Sequence, residues 1–183
     1  MIVAIDPSLT STGVAILGPS QVDPYWAVRT IRSSAPVAPP NPALASVRRM
    51  EKIVHQFRRT IEELCLGVRP TYFVIEAPAF SKNVGMAHER AGLWWMLYQA
   101  AAGFGSVPIL VVKPNLRAKY ATGLGNAGKD AVLLAASRRY PGVPMTNNNE
   151  ADAVVLAAMG ARVLGHPVDQ LPRTHLDAMK TLG

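Results

Sequence analysis

Two short apolar runs in this chain each end in a single carboxylate. Ile2-Val3-Ala4-Ile5 runs into Asp6, and Tyr72-Phe73-Val74-Ile75 runs into Glu76. The apolar residues are continuous rather than alternating, which predicts strands buried on both faces. Such strands need helices packed on either side of a sheet, so the chain is expected to be an α/β protein. A carboxylate at the end of a buried strand is costly unless something compensates it. If the two strands are neighbours, Asp6 and Glu76 open into one crevice. Two close carboxylates repel, so one must hold a proton or a cation must bridge them.

The remaining elements follow from breakers and periodicity. Pro7-Ser8 and then Ser11-Thr12-Gly13 interrupt the first strand, residues 14–17 form a second, and residues 25–30 form a third. Short turns between them predict an antiparallel meander. Residues 35–42 hold four prolines and are expected to be a loop. Leu44, Val47, Met50, Val54, Phe57, Ile61 and Leu64 recur at helical steps, with Arg48, Arg49, Arg58 and Arg59 elsewhere on the wheel as a solvated face. Gly67 and Pro70 end that helix. Residues 87–102 read as a largely buried helix, 108–112 as a strand, and 129–140 as a helix. A last helix spans 149–164, with Asn147 or Asn148 as its cap. The order is βββ-α-β-α-β-α-α, one domain over residues 1–165 with a tail of undetermined structure over 166–183.

Composition narrows the chemistry. Cys65 is the only cysteine, which excludes a disulfide framework and a Cys-based zinc site. His55, His88, His166 and His175 have no ligand-like spacing. The sequence holds no apolar run of about 18 residues and opens without a basic n-region, so a cytoplasmic protein is expected, in a host cytoplasm if virus-encoded. Nineteen Lys and Arg stand against twelve Asp and Glu. Residues 71–140 carry eight basic and three acidic residues. A basic middle points to an anionic partner, of which nucleic acid is the commonest.

Asp152 is a third acid out of place. It falls in the first turn of the last helix among Ala151, Ala153, Val154 and Val155. Asn149, three residues earlier, shares its face, whereas Glu150 should point elsewhere unless the turn is irregular. Three or four oxygen ligands without a His/Cys cluster suit Mg²⁺ or Mn²⁺. Two such ions roughly 4 Å apart would activate a water and stabilise the leaving oxygen of a phosphodiester. Each acid also has a plainer role: Asp6 capping the Pro7-Ser8 turn, Glu76 pairing with an arginine, Asp152 as an N-terminal helix charge.

The stretches Ile5-Asp6-Pro7-Ser8-Leu9-Thr10-Ser11-Thr12-Gly13, Phe73-Val74-Ile75-Glu76, Lys82-Asn83, Thr122-Gly123-Leu124-Gly125-Asn126-Ala127-Gly128-Lys129 and Asn149-Glu150-Ala151-Asp152-Ala153 follow in this order. Together they resemble the ribonuclease H-like nuclease fold, and within it the RuvC family of Holliday junction resolvases, over about residues 1–165. The resemblance implies a mixed five-stranded sheet with helices on both faces. It also implies a metal-dependent endonuclease that resolves four-way DNA junctions by paired nicks. Asp6, Glu76 and Asp152 would bind the catalytic Mg²⁺. The family's fourth ligand position is Asn149 here, with Glu150 as the substitute. Lys129 would contact DNA or the scissile phosphate. Lys119 and Arg117 lie near a second family lysine without being in register. In this reading Phe80, beside Lys82 and Asn83, would stack on an unpaired base. Ser8, Thr10 and Ser11 would either donate to a phosphate or hold their turn.

Paired nicks on a two-fold symmetric junction imply a C2 homodimer, and a branch-migration helicase stays an open partner. Trp94 and Trp95 read as core or dimer interface. The Asp6-to-Gly13 stretch also resembles the first phosphate-binding turn of actin-like kinases, but those need two domains and a second phosphate loop. An RNA-processing or broader branched-DNA nuclease of the same fold, and a junction-binding protein without cleavage, are the other readings.

Overall fold

The computed structural model describes residues 1–19, 24–35, 37–78 and 86–182. Its strands are β1 (Ile2–Asp6), β2 (Ser11–Gly18), β3 (Tyr25–Arg32), β4 (Tyr72–Glu76) and β5 (Ile109–Val112). Its helices are α1 (Pro42–Leu64), α2 (Ala87–Ala102), α3 (Pro114–Thr122), α4 (Lys129–Arg139), α5 (Asn148–Val163) and the short α6 (Arg173–Leu176). The sheet order is β3-β2-β1-β4-β5. β1, β2 and β3 form the expected antiparallel meander, and β4 and β5 add in parallel, so the sheet is mixed.

Every residue of β1 and β4 is buried, as their unbroken apolar character predicts. Side chains alternate across the pleat. Val3, Ile5, Val14, Ile16, Phe73 and Ile75 pack with Ile53, Phe57, Leu93 and Leu97 of α1 and α2. Ile2, Ala4, Ala15, Leu17, Tyr72 and Val74 pack against α3, α4 and α5 on the other face. α5 lies flat on that face, and every residue from Glu150 to Ala161 is buried. Its small residues permit the approach: a Cβ on Gly160 would come 2.6 Å from Val74 Cγ2.

The structure corrects several expectations. β2 begins at Ser11, so Gly13 lies inside a strand, opposite both Asp6 and Thr30, rather than in a breaking turn. Pro42 opens α1 at a position where its missing N–H costs nothing, and the Asn41 side chain accepts from Leu44 N. Leu44 and Val47 are exposed. Arg49, expected on the solvated face, is buried. Its guanidinium donates to the Leu9 and Ser33 carbonyls, tying α1 to the loop after Asp6. α3 was not foreseen; Pro114 opens a helix after Lys113, where no element was assigned. Residues beyond 165 pack back on the domain. Ala178 is fully buried, and Asp169 accepts from Tyr120, Tyr140 and Arg162.

Candidate active site

The pleat decides where the acids point. β1 and β4 are parallel neighbours with Ile5 opposite Ile75, so Asp6 and Glu76 are the next residues on adjoining strands. Each lies two residues beyond an α5-facing residue, Ala4 or Val74, and so shares their face. α5 sits on that face and brings Asp152 from its first turn. Asn147 caps the helix by accepting from the Asn149 and Glu150 amides. A Cβ at Gly13 would meet the Asn149 carbonyl oxygen at 2.1 Å, so glycine next to Asp6 is what lets α5 reach the strand ends.

A cleft of about 360 Å³ opens there, lined among others by Asp6, Ser8, Glu76, Arg117, Lys129 and Asn149. Asp152 lies deeper, 1% exposed. Arg117 bridges the acids. Its Nε donates to Glu76 Oε2 at 2.6 Å and its NH1 to Asp152 Oδ1 at 2.5 Å. Asp152 Oδ2 is buried with no partner among the described residues. The Trp94 indole N–H donates to the Glu76 carbonyl at 2.8 Å and fixes the end of β4.

The electrostatics follow from burial and crowding. Burial raises Asp6 well above the ordinary carboxylate range, and the Glu76 and Asp152 charges raise it further, against Arg117 and Lys129. Asp152 is raised to about 6, first by burial, with Arg117 opposing. An acid raised in the fold stabilises it when protonated, so stability is lost as pH rises through the folded pKa. Without metal, the protein is expected to melt higher at pH 5 than at pH 7.5, by on the order of 5–10 °C. Scanning calorimetry in EDTA checks this. An unchanged difference in Asp152→Asn would assign the effect to other groups.

Of the residues singled out in the sequence, Asp6, Glu76, Asn149, Lys129 and Ser8 line the cleft, and Asp152 joins them through Arg117. Glu150 does not substitute for Asn149. Its carboxylate turns away to accept from Thr146 and from the Thr30 hydroxyl. The helical phase two residues before Asp152 accounts for this. Arg117 lines the cleft as a buried partner of the acids, paired with Glu76 and Asp152. Lys119, two positions on, is not among the residues that line the cleft, and its charge helps to lower the Asp177 carboxyl of the tail. Ser8 holds its turn, its hydroxyl accepting from Ser11 N at 3.3 Å. Phe80, Lys82 and Asn83 lie outside the described residues. Among the described residues, no three His, Cys, Asp or Glu side chains are arranged to share one metal ion.

No family model matches the chain. Among curated proteins, it aligns over 159 residues with the crossover junction endodeoxyribonucleases RuvC of Rickettsia felis and Rickettsia typhi. It is 27% identical to each, over 86% of this chain and 94% of the relative. Among solved structures, Thermus thermophilus RuvC gives a TM-score of 0.64 at 20% identity, covering 90% of this chain and 96% of that one. The chain is similar to RuvC proteins along most of its length. A second solved structure, T. thermophilus RuvC in complex with Holliday junction substrate, gives 0.64 at 19% identity. The RuvC fold is ribonuclease H-like, as the motif order implied. Two residues of this RuvC-like cleft escaped the sequence reading: Arg117 as a partner of the acids, and Trp94 as the clamp on Glu76. The first was hidden because no element was assigned to residues 114–122, where α3 lies. An indole at a buried helical position looks like core and gives no signal of its hydrogen bond.

Proposed function

We propose that the protein is a metal-dependent, structure-selective DNA endonuclease that resolves four-way junctions by paired nicks. The observation that carries this reading is the convergence of Asp6, Glu76 and Asp152 at one end of a RuvC-like sheet, in a chain of net charge +7. The donor set fits a hard divalent cation, Mg²⁺ or Mn²⁺. All its donors are oxygens, and a buried carboxylate oxygen of Asp152 is without a partner among the described residues. Asp6, Glu76 and Asp152 would hold the metal, two ions per site in the fullest form, with Asn149 able to add a neutral oxygen. A bound metal would supply Lewis acidity at the phosphate and would make a water at the site more acidic than in bulk solvent.

The chain's own groups do the rest. Lys129, the first residue of α4, offers a cation on the open side of the cleft, where it neutralises a phosphate. The hydrogen-bonded turn at Ser8 and Thr12 and the Arg49 bond to Leu9 hold the loop after Asp6. Trp94 holds Glu76 by its backbone, so the carboxylates keep their positions when a substrate enters. A C2 homodimer matches the symmetry of the junction. Trp95, 64% exposed on α2, offers an apolar face for the second copy. Among the described residues no helix is long and apolar enough to cross a membrane, in keeping with a cytoplasmic, DNA-acting protein.

The test is cleavage of a labelled synthetic four-way junction in Mg²⁺, beside linear duplex, a replication fork and matching RNA. Symmetric nicks in the junction alone are expected. Cutting of forks as well would broaden the specificity, and tight binding without cutting would replace the nuclease by a junction-binding protein.

A further inference from the structure

The acids at the sheet end already have a cation. Arg117 reaches them from α3, its side chain 8% exposed, and forks onto both Glu76 oxygens, at 2.6 and 3.4 Å, while its remaining nitrogen holds Asp152. A guanidinium stays charged at any pH a folded protein sees, so this is a permanent positive charge. It spans the two carboxylates that a shared metal ion would have to span. An oxygen engaged in a short, charge-assisted hydrogen bond has that lone pair directed at the donor and not at a metal. Asp152 Oδ2, by contrast, has no hydrogen-bond partner among the described residues. Among the described residues, no three acids are disposed around one ion.

We propose that Arg117 is an internal counter-cation that competes with the divalent metal, so that loading the site requires the guanidinium to release Asp152. The inference rests on the metal-dependent reading above. Arg117 compensates the acid cluster while it is empty, so the fold tolerates three carboxylates at one strand end. The same contact raises the metal concentration needed to fill the site. Arg117 is therefore a positioning residue, acting through Glu76 and Asp152.

Mn²⁺ titration followed by the EPR signal of the free ion, without DNA, tests this in wild type, Arg117→Met and Arg117→Lys. Arg117→Met keeps the apolar stem and removes the charge, and is expected to bind Mn²⁺ about tenfold more tightly. Arg117→Lys keeps a point charge that cannot fork across both acids, and is expected in between. It carries the test if the methionine variant does not fold. Thermal unfolding supplies the second readout. Arg117→Met should melt below wild type in EDTA, and the gap should close in saturating Mn²⁺. A purely structural arginine would leave the same gap in both. Mn²⁺ affinity that is equal or weaker in both variants overturns the proposal while leaving the metal reading intact. Failure of all three proteins to take up millimolar Mn²⁺ overturns both.

Discussion

Asp6→Asn is expected to abolish junction nicking, by at least about a thousandfold, while the protein stays folded and melts higher than wild type in EDTA. The catalytic loss corresponds to roughly 4 kcal/mol of transition-state stabilisation, the scale of losing one anionic metal ligand. The gain in stability has a separate origin. Burial and the charges of Glu76 and Asp152 oppose ionisation of Asp6. Asparagine keeps the shape and removes one of three like charges. Nicking of the labelled junction and a melting curve read the two effects independently. Activity within tenfold of wild type would move the reacting centre away from the end of β1. A collapse in stability would mean that Asp6 is structural, capping its turn.

Gly13→Ala is expected to cost about 3 kcal/mol, near the upper end for forcing an extra methyl into a packed site, or roughly 6–12 °C in melting temperature. The added Cβ would meet a backbone carbonyl of α5, which cannot rotate away as a side chain can. Relief requires α5 to lift, and Asn149 and Asp152 move with it. Metal-dependent cleavage should therefore fall even at temperatures where the variant is folded. Chemical denaturation with circular dichroism checks the first effect, and nicking at 20 °C checks the second. A variant as stable as wild type would mean that α5 sits farther from β2 than the present packing has it.

The acids were legible in the sequence because they break a pattern. A carboxylate ending an apolar strand stands out against its neighbours, and so does one inside an alanine-rich helix. Asn147 as the cap of α5 was legible for a related reason, since its side chain serves the backbone beside it. Arg117 broke no pattern. It sits in a basic region where one more arginine reads as surface charge, and its partners lie 41 and 35 residues away in sequence. Gly13 misled for the opposite reason. Its neighbours Ser11 and Thr12 made it look like a turn, while its purpose is the space it leaves for a helix more than a hundred residues later. The packing of the tail was equally hidden, because Asp169 gains its meaning only from Tyr120, Tyr140 and Arg162.

The burial of α5 bears on how this protein would look in a saturation mutagenesis screen scored by survival. From Glu150 to Ala161 no side chain has a solvent-facing side to absorb a change of volume. Nearly every substitution there would read as lethal, whether or not it touches chemistry. Asp152 would vanish into a uniform band of intolerance. Isosteric exchange, Asp152→Asn against Ala153→Ser, is what would separate the residue proposed to hold metal from the residues that merely fit.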